Sequence, residues 1–282
     1  MSLAKRIIPK LDIKGENLVK GVNLEGLRVL GKPEIFAKNY YKNGADELIY
    51  QDIISSLYGI SSLENVIRKT ASEIFIPLTV GGGIKTISDI SRLLRCGADK
   101  ISMNSAVILN PGFIHKSAQT FGSSTIVVSI ETQFIDGDYY AFTDCGRNRS
   151  NKKLISWIKE IQELGAGEII ITFIDSEGTG KGIDLNIVKK IIEHVKVPLI
   201  LNGGIGKKED AHELLSFKEI SGLAISSMFH YKLIESIDFT NLDFSIGNID
   251  FIKKYTANSK IDTLSILELK KNLLKKKIDI NI

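Results

Sequence analysis

The stretches PLTVGGGIKTISDI (77–90) and PLILNGGIGKKEDA (198–211) share one layout and lie 121 positions apart. The offset recurs elsewhere: Pro77 corresponds to Pro198, Gly82 to Gly203, and GADEL (44–48) to GAGEI (165–169). Self-similarity at a fixed period restricts the fold more than any single-element assignment, because each copy must be the same supersecondary unit. The copies are expected at about 5–120 and 121–232 of one domain spanning 1–282, with 233–282 forming an irregular insertion and a terminal helix.

Each copy carries four short, nearly continuous apolar runs. The first has RIIPKLDI, ELIYQDI, IPLTVGG and DKISMNS; the second has STIVVSIE, EIIITFID, VPLILNGG and GLAISS. Continuity rather than alternation is what a strand buried on both faces of a parallel sheet requires. Between them lie amphipathic segments such as SLENVIRKTASEI, TISDISRLLRCG, KLISWIKEIQELG and DLNIVKKIIEHV, several of which end at the glycine that suits a helix C-terminus. Eight β-then-α units closing on themselves give an α/β fold of the (β/α)8 TIM-barrel type with an internal half-barrel repeat. A doubly wound open sheet uses the same alternation, but a repeat of four units favours closure. The helix after the seventh run is expected to begin near Lys207.

At 282 residues, 43% apolar and 25% charged, the chain can bury one large core. No apolar run has the length a membrane span needs, and residues 1–10 carry charges where a signal peptide needs apolar residues, so a cytoplasmic protein without membrane contact is expected. The two cysteines, Cys96 and Cys145, cannot build a disulfide framework, and no Cys/His spacing resembles a zinc site; neither metal nor cofactor is expected. The net charge of +4 is spread along the chain except for Lys270, Lys271, Lys275, Lys276 and Lys277. These flank Ile266, Leu269, Leu273 and Leu274 at helical spacing, which reads as the solvated side of a terminal amphipathic helix rather than a nucleic-acid surface.

Chemistry in such a barrel sits at the C-terminal ends of the strands. There VGGGI (80–84) and NGGIG (202–206) place Gly82, Gly83, Gly203 and Gly204 where bare backbone amides can approach a phosphate. One unit later each is followed by a strand end of small polar residues, Asn104 and Ser105, then Ser226 and Ser227. With a nearby helix N-terminus these make an anion site, and two such sites imply a ligand with a phosphate at each end. The alternative is that the glycines only relieve crowding where strand turns to helix. Asp12 in KLDIKG and Glu131 in SIETQ occupy matching places, and a carboxylate pair between two phosphates suits proton transfer, one group taking a proton while the other gives one. Alternatively, an acid there only holds a neighbouring lysine such as Lys14 or Lys20. Asp52, Asp175 and Glu177 are further acids at the mouth. Thr172 and Thr179 are either donors to substrate or ordinary strand-end hydroxyls. None of His115, His194, His212 and His230 lies at a strand end, so histidine catalysis is not expected.

Taken together, LAKRIIPKLDIKGENLVKG, VGGGIKTISDISRLLRCGADKISMNSA, GAGEIIITFIDSEGTGKGID, NGGIG and SSMFH resemble the cyclase subunit of imidazole glycerol phosphate synthase over roughly residues 3–231. The isomerase of the preceding histidine-pathway step shares the half-barrel repeat and a bisphosphate substrate, but its usual first strand lacks KRII…LD…VKG. The resemblance implies that ammonia from a separate glutaminase subunit, the partner in a heterodimer, passes through the barrel interior. It would react there with a ribulosyl aminoimidazole-carboxamide bisphosphate nucleotide, yielding imidazole glycerol phosphate and an aminoimidazole carboxamide ribonucleotide. It also implies a general acid or base at Asp12 and a substrate-covering lysine at Lys20, which alone would read as a solvated loop charge. On the opposite face it implies a charged ammonia-entry ring of Arg6, Glu47, Lys100 and Glu168. The chain has no glutaminase nucleophile motif of its own.

Departures from the family pattern gather at the mouth: Glu131 and Glu177 where Asp is usual, Cys145 and Asn202 where serine is usual, IISSLYGISS after the second strand, and a longer connection before the last helix. The ammonia-entry side keeps its pattern. Two alternatives to the histidine-pathway cyclase follow. One is a divergent paralogue that delivers ammonia to a different acceptor, such as a sugar amidated for surface polysaccharide. The other is a non-catalytic barrel that activates a glutaminase, against which Asp12, Lys20 and both anion sites argue.

Overall fold

In a computed structural model describing residues 4–54, 61–236 and 261–282, eight parallel strands form a closed ring. They are β1 (Arg6–Lys14), β4 (Leu48–Asp52), β5 (Leu78–Gly81), β6 (Lys100–Met103), β7 (Ile126–Ile135), β10 (Glu168–Phe173), β11 (Leu199–Asn202) and β12 (Ile220–Ile225). The spatial order runs β10-β11-β12-β1-β4-β5-β6-β7, and the parallel pairing of β7 with β10, from Glu168 beside Val127 to Phe173 beside Thr132, closes it. This is the (β/α)8 barrel that the continuous apolar runs predict. Helices follow the strands: α1 (Pro33–Lys42), α2 (Ser61–Ala71), α3 (Ile87–Arg95), α4 (Ser105–Leu109), α5 (Gly112–Phe121), α6 (Leu154–Glu163), α7 (Leu185–Ile192), α8 (Lys208–Leu215), α9 (Ser227–Ser236) and α10 (Ile266–Lys275). The helix after β11 starts at Lys208, one residue beyond its expected start.

Burial on both strand faces explains the continuous runs. Residues such as Ile7, Leu11 and Ile13 pack outward against helices in the main core. Their neighbours point inward, where Ile8, Ile49, Val127, Ile170, Ile200 and Ala224 form a separate apolar layer across the barrel. Because strand side chains alternate, Arg6, Ile8, Lys10 and Asp12 of β1 share this inner face as one column.

The remaining strands form two hairpins that the sequence reading does not foresee: β2 (Asn17–Val22) with β3 (Glu25–Gly31), and β8 (Asp138–Thr143) with β9 (Asn148–Lys153). They extend the upper ends of β1 and β7, pairing Asp12 with Val19 and Glu131 with Phe142. β2 and β8 start at the 121-residue offset, so the hairpins belong to the repeat. The signal lay in the turns. Asp136 and Gly137 both take positive φ (53° and 83°), as a two-residue type I′ turn demands, and Gly15 (φ 62°) opens the equivalent turn after β1.

The terminal helix corrects one expectation. Serine capping by Ser265 and Glu268 starts α10, and Ile266, Leu269 and Leu273 are buried as expected. Lys270, however, is buried rather than solvated, whereas Leu274 is 38% exposed. Lys270 shares the inward face with Ile266, one turn earlier, and its Nζ lies 2.7 Å from Asp46 Oδ1. Asp46 Oδ2 in turn accepts the Ile7 N–H at 2.7 Å, tying the helix to the base of β1. Of the insertion expected at about 233–263, residues 237–260 lie outside the described residues, as do residues 55–60 of the IISSLYGISS loop. Among the described residues no helix is long and apolar enough to cross a membrane. Lys270→Met leaves Asp46 without its cation and is expected to lower unfolding stability by on the order of 3 kcal/mol in urea titrations, against almost no change for the exposed Lys271→Met.

Candidate active site at the barrel mouth

Strand β1 delivers Lys10 and Asp12 to the mouth, two residues apart and therefore side by side on the inner face. Lys10 Nζ sits 3.0 Å from Asp12 Oδ1, and both side chains are buried. Burial works against the Lys10 charge, yet Asp12, Glu177 and Glu131 outweigh it and hold its pKa above the ordinary lysine value. The structure thus corrects the expected neighbour of Asp12, which is neither Lys14 nor Lys20 but Lys10, a residue the sequence reading passed over inside an apolar run. Across the mouth, Glu131 projects from β7 and its Oε2 accepts the Gly146 N–H at 2.9 Å. Burial raises the Glu131 pKa from 4.5 to about 7, against the opposing pull of Lys10 and that N–H. Asp12 and Glu131 line one space together with Lys10, Lys20 and Cys145. One carboxylate paired with an ammonium and one carboxyl that keeps its proton to near neutrality thus face the same space.

The four glycines named from the sequence all take positive φ: Gly82 115°, Gly83 65°, Gly203 100° and Gly204 82°. Around Gly82, Gly83, Asn104 and Ser105 the mouth opens into a cavity of about 290 Å³ that reaches Glu131. Gly203, Gly204, Ser226 and Ser227 line the equivalent space of the second half, which holds only about 10 Å³. There a Cβ on Gly203 would stand 2.7 Å from Phe173 O, so close packing as well as conformation requires glycine. The helices directly after the glycine pairs are not the open N-termini the sequence suggests. Asp89 Oδ2 accepts the Lys85 and Thr86 N–H groups at 3.1 and 2.9 Å, and Asp210 Oδ2 accepts those of Gly206 and Lys207 at 2.9 Å each. These two caps also lie 121 residues apart. One unit further on, α4 starts at Ser105 with no side-chain cap, and α9 starts at Ser227.

The small polar residues are only partly available. Asn104 Nδ2 donates to Phe142 O at 3.0 Å, while its Oδ1 is buried with no hydrogen-bond partner among the described residues. Ser105 Oγ accepts the Asp144 N–H, Ser226 Oγ donates to Lys10 O, and Thr172 Oγ1 accepts from Asn202 Nδ2 at 3.0 Å. Thr179 turns into its own loop, donating to Ser176 O. Asp175 does not join the mouth either; it accepts from Gln133 Nε2 and the Phe134 N–H at the exposed end of β7. Lys20, on β2, meets Glu177 at 2.5 Å, and both are buried, so the first hairpin is fastened across the mouth. Cys145 donates to Ile53 O at 3.4 Å, and burial beside Glu131 and Asp12 pushes its thiol up to about 12, leaving no thiolate nucleophile. His230 is buried in α9 against Tyr40, 2.6 Å from its Nδ1, and burial lowers its pKa to about 3. Among the described residues no cluster of three His, Cys, Asp or Glu could hold a metal.

At the opposite end Arg6, Glu47, Lys100 and Glu168 meet in a ring of alternating charge. Arg6 contacts Glu47 at 2.7 Å and also Glu168, while Lys100 contacts Glu47 at 3.0 Å and Glu168 at 2.9 Å. Glu47 Oε1 also accepts from Thr79 Oγ1 at 2.6 Å. The carboxylates are almost fully buried and the cations about one fifth exposed, so the ring seals the interior yet presents its positive groups outward.

A family model for histidine biosynthesis proteins matches residues 6–235, spanning all eight barrel strands. The chain belongs to this family. Curated members resemble it over most of their own length. The imidazole glycerol phosphate synthase subunit HisF of Legionella pneumophila is 48% identical over 206 residues, covering 73% of this chain and 97% of that protein. HisF subunits of Saccharolobus solfataricus and Campylobacter concisus are 42% and 45% identical over 234 and 232 residues, covering 93% and 92% of those proteins.

Within this family member, the unusual mouth residues are each tied to a neighbour: Glu131 to Gly146, Glu177 to Lys20, Asn202 to Thr172 and Cys145 to Ile53. For Glu131, a folded-state pKa of about 7 against 4.5 means that the native state binds the proton more tightly than the unfolded one. Its stabilising contribution is therefore complete below about pH 4.5 and is lost as pH rises through 7. Glu131→Gln is expected to gain stability relative to the parent between pH 5 and 8, by on the order of 3 kcal/mol in urea unfolding at fixed ionic strength. A difference that does not change with pH would mean that Glu131 is already ionised in the fold.

Proposed function

We propose that this barrel is the cyclase subunit of imidazole glycerol phosphate synthase, using ammonia to close the imidazole ring in histidine biosynthesis. The observation that carries the reading is the pair of buried carboxyl groups, Asp12 and Glu131, set between two glycine-lined strand ends. Family membership and 41–48% identity to HisF subunits support it. Neutral ammonia reaching the mouth attacks a carbonyl of the ribulosyl bisphosphate nucleotide, and the added nitrogen must then shed a proton. Asp12 takes it, the Glu131 carboxyl protonates the carbonyl-derived hydroxyl, which leaves as water to give an imine, and closure of the imidazole ring then expels the aminoimidazole carboxamide ribonucleotide. Phosphates at the two ends of the substrate are held by the amides around Gly82, Gly83 and Ser105 and around Gly203, Gly204 and Ser227, with Lys20 released from Glu177 to cover the substrate.

Ammonia would enter through the ring of Arg6, Glu47, Lys100 and Glu168 from a glutaminase docked on that face. A neutral molecule crosses the apolar layer above the ring readily, whereas ammonium would have to be desolvated there. A second reading, delivery of ammonia to a different acceptor, is favoured by one observation: the space at Gly203 and Gly204 is far smaller than that at Gly82 and Gly83, which suits an acceptor with one large anionic end.

The deciding assay gives the purified chain the bisphosphate nucleotide and excess ammonium near pH 7, where Glu131 still holds its proton, and follows the loss of absorbance. Turnover is expected, reduced by at least about 100-fold in Asp12→Asn. Inert wild-type protein, with Glu131→Asp also inert, would favour the different acceptor. With a glutaminase partner present, Arg6→Ala is expected to lower glutamine-dependent turnover more than ammonium-dependent turnover.

A further inference from the structure

Lys10 is the mouth residue whose presence the proposed reaction does not explain. A lysine 5% exposed on the inner face of a barrel strand loses its hydration and much of its side-chain freedom, so something must hold it there. Its position in the β1 column supplies the reason. The stem lies above the apolar layer at Ile8, and the ammonium reaches the level of Asp12, 3.0 Å from Oδ1. The backbone carbonyl of Lys10 is also fixed, because Ser226 Oγ donates to it at 2.8 Å. The charged and titratable groups that surround it come from every element at the mouth: Asp12 on β1, Lys20 on β2, Glu131 on β7, Asp144, Cys145 and Arg147 in the β8–β9 turn, Glu177 after β10 and His230 on α9. In this structure Lys20 pairs with Glu177 at 2.5 Å, whereas Lys10 pairs with Asp12 and acts on Glu131 by its charge.

We propose that Lys10 is the positioning residue of this mouth, clamping the Asp12 carboxylate through the 3.0 Å pair and setting a positive charge beside Glu131, so that Asp12 acts as the base and Glu131 as the acid. Resting on the cyclase reading, this division of labour is electrostatic. The Lys10 ammonium stands 3.0 Å from Asp12 Oδ1 and also pulls against the raised Glu131 pKa, so the directly paired carboxylate is the one it holds in place. Burial keeps the proton on Glu131, while the Asp12 carboxylate is fixed by its ion pair. Without the ammonium, Asp12 loses the ion pair that fixes its carboxylate, and Glu131 loses the charge that opposes the effect of its burial.

The test compares wild type, Lys10→Met and Lys10→Arg in ammonium-driven turnover between pH 6 and 9.5 with free ammonia held constant. It is run alongside a ¹³C-carboxyl titration of Glu131 assigned through Glu131→Gln. Lys10→Met is expected to lower kcat by on the order of 100-fold with little change in KM, and to move the alkaline limb of kcat, where Glu131 loses its proton, up by about one pH unit. Lys10→Arg is expected to restore the position of the limb even where it does not restore the full rate. In the titration, the Glu131 midpoint near 7 is expected to rise by about one unit in Lys10→Met. A loss of rate equal at every pH with the limb unmoved, or a variant within about threefold of wild type, overturns the proposal. If wild type itself shows no turnover, the cyclase reading fails, and the titration decides the role of Lys10 by itself: a midpoint unmoved by Lys10→Met overturns it.

Discussion

Everything at the mouth depends on the strict two-residue alternation of a strand whose ring is closed. Half of each strand faces an interior with room for only a few side chains, so every inward position is small, apolar or electrostatically matched. Strand β1 shows the rule in one column: Arg6 in the charged ring, Ile8 in the apolar layer, then Lys10 and Asp12 at the mouth. The pairing of β7 with β10 closes the ring and brings Glu131 level with Thr172, opposite that column. A one-residue slip in either strand would turn these groups out into the helix layer.

The hairpins show how a repeat can be modified without losing its frame. Each extends a barrel strand beyond the ring and folds back, and each returns a partner to a buried acid: Gly146 reaches Glu131, and Lys20 on β2 reaches Glu177. The β8–β9 turn also reaches the first glycine site, where Asp144 and Phe142 engage Ser105 and Asn104. Carboxylates one methylene longer than the usual Asp thus occupy positions shaped by their own neighbours rather than hanging free.

The barrel itself was legible from sequence because strands buried on both faces leave an unusual signature, a continuous apolar run ending in glycine or a small polar residue. The glycine pairs, Asp12 and Glu131 were legible because they sit where those runs end. Lys10 was missed for a physical reason: a charge inside an apolar run carries no marker of its direction, and only its parity with Asp12 reveals that both point inward. Lys270 was misplaced because helical spacing from Ile266 admits an apolar stripe through either residue 270 or residue 274, and the choice depends on Asp46, 224 residues away in sequence. The hairpins were missed because runs broken by Gly15 and Gly137 read as strand ends, although a positive-φ turn flanked by alternating residues also means a chain turning back.

The layer of Ile8, Ile49, Val127, Ile170, Ile200 and Ala224 has a consequence for how such a protein diversifies. It works as an electrical septum, dividing the barrel into two compartments whose charges are desolvated separately and balanced within their own walls. The four charges below it neutralise one another, and so do the ion pairs above it. Residues on one side can therefore be exchanged without upsetting the balance on the other. A chain built this way can keep its lower charge ring while its upper compartment is refitted.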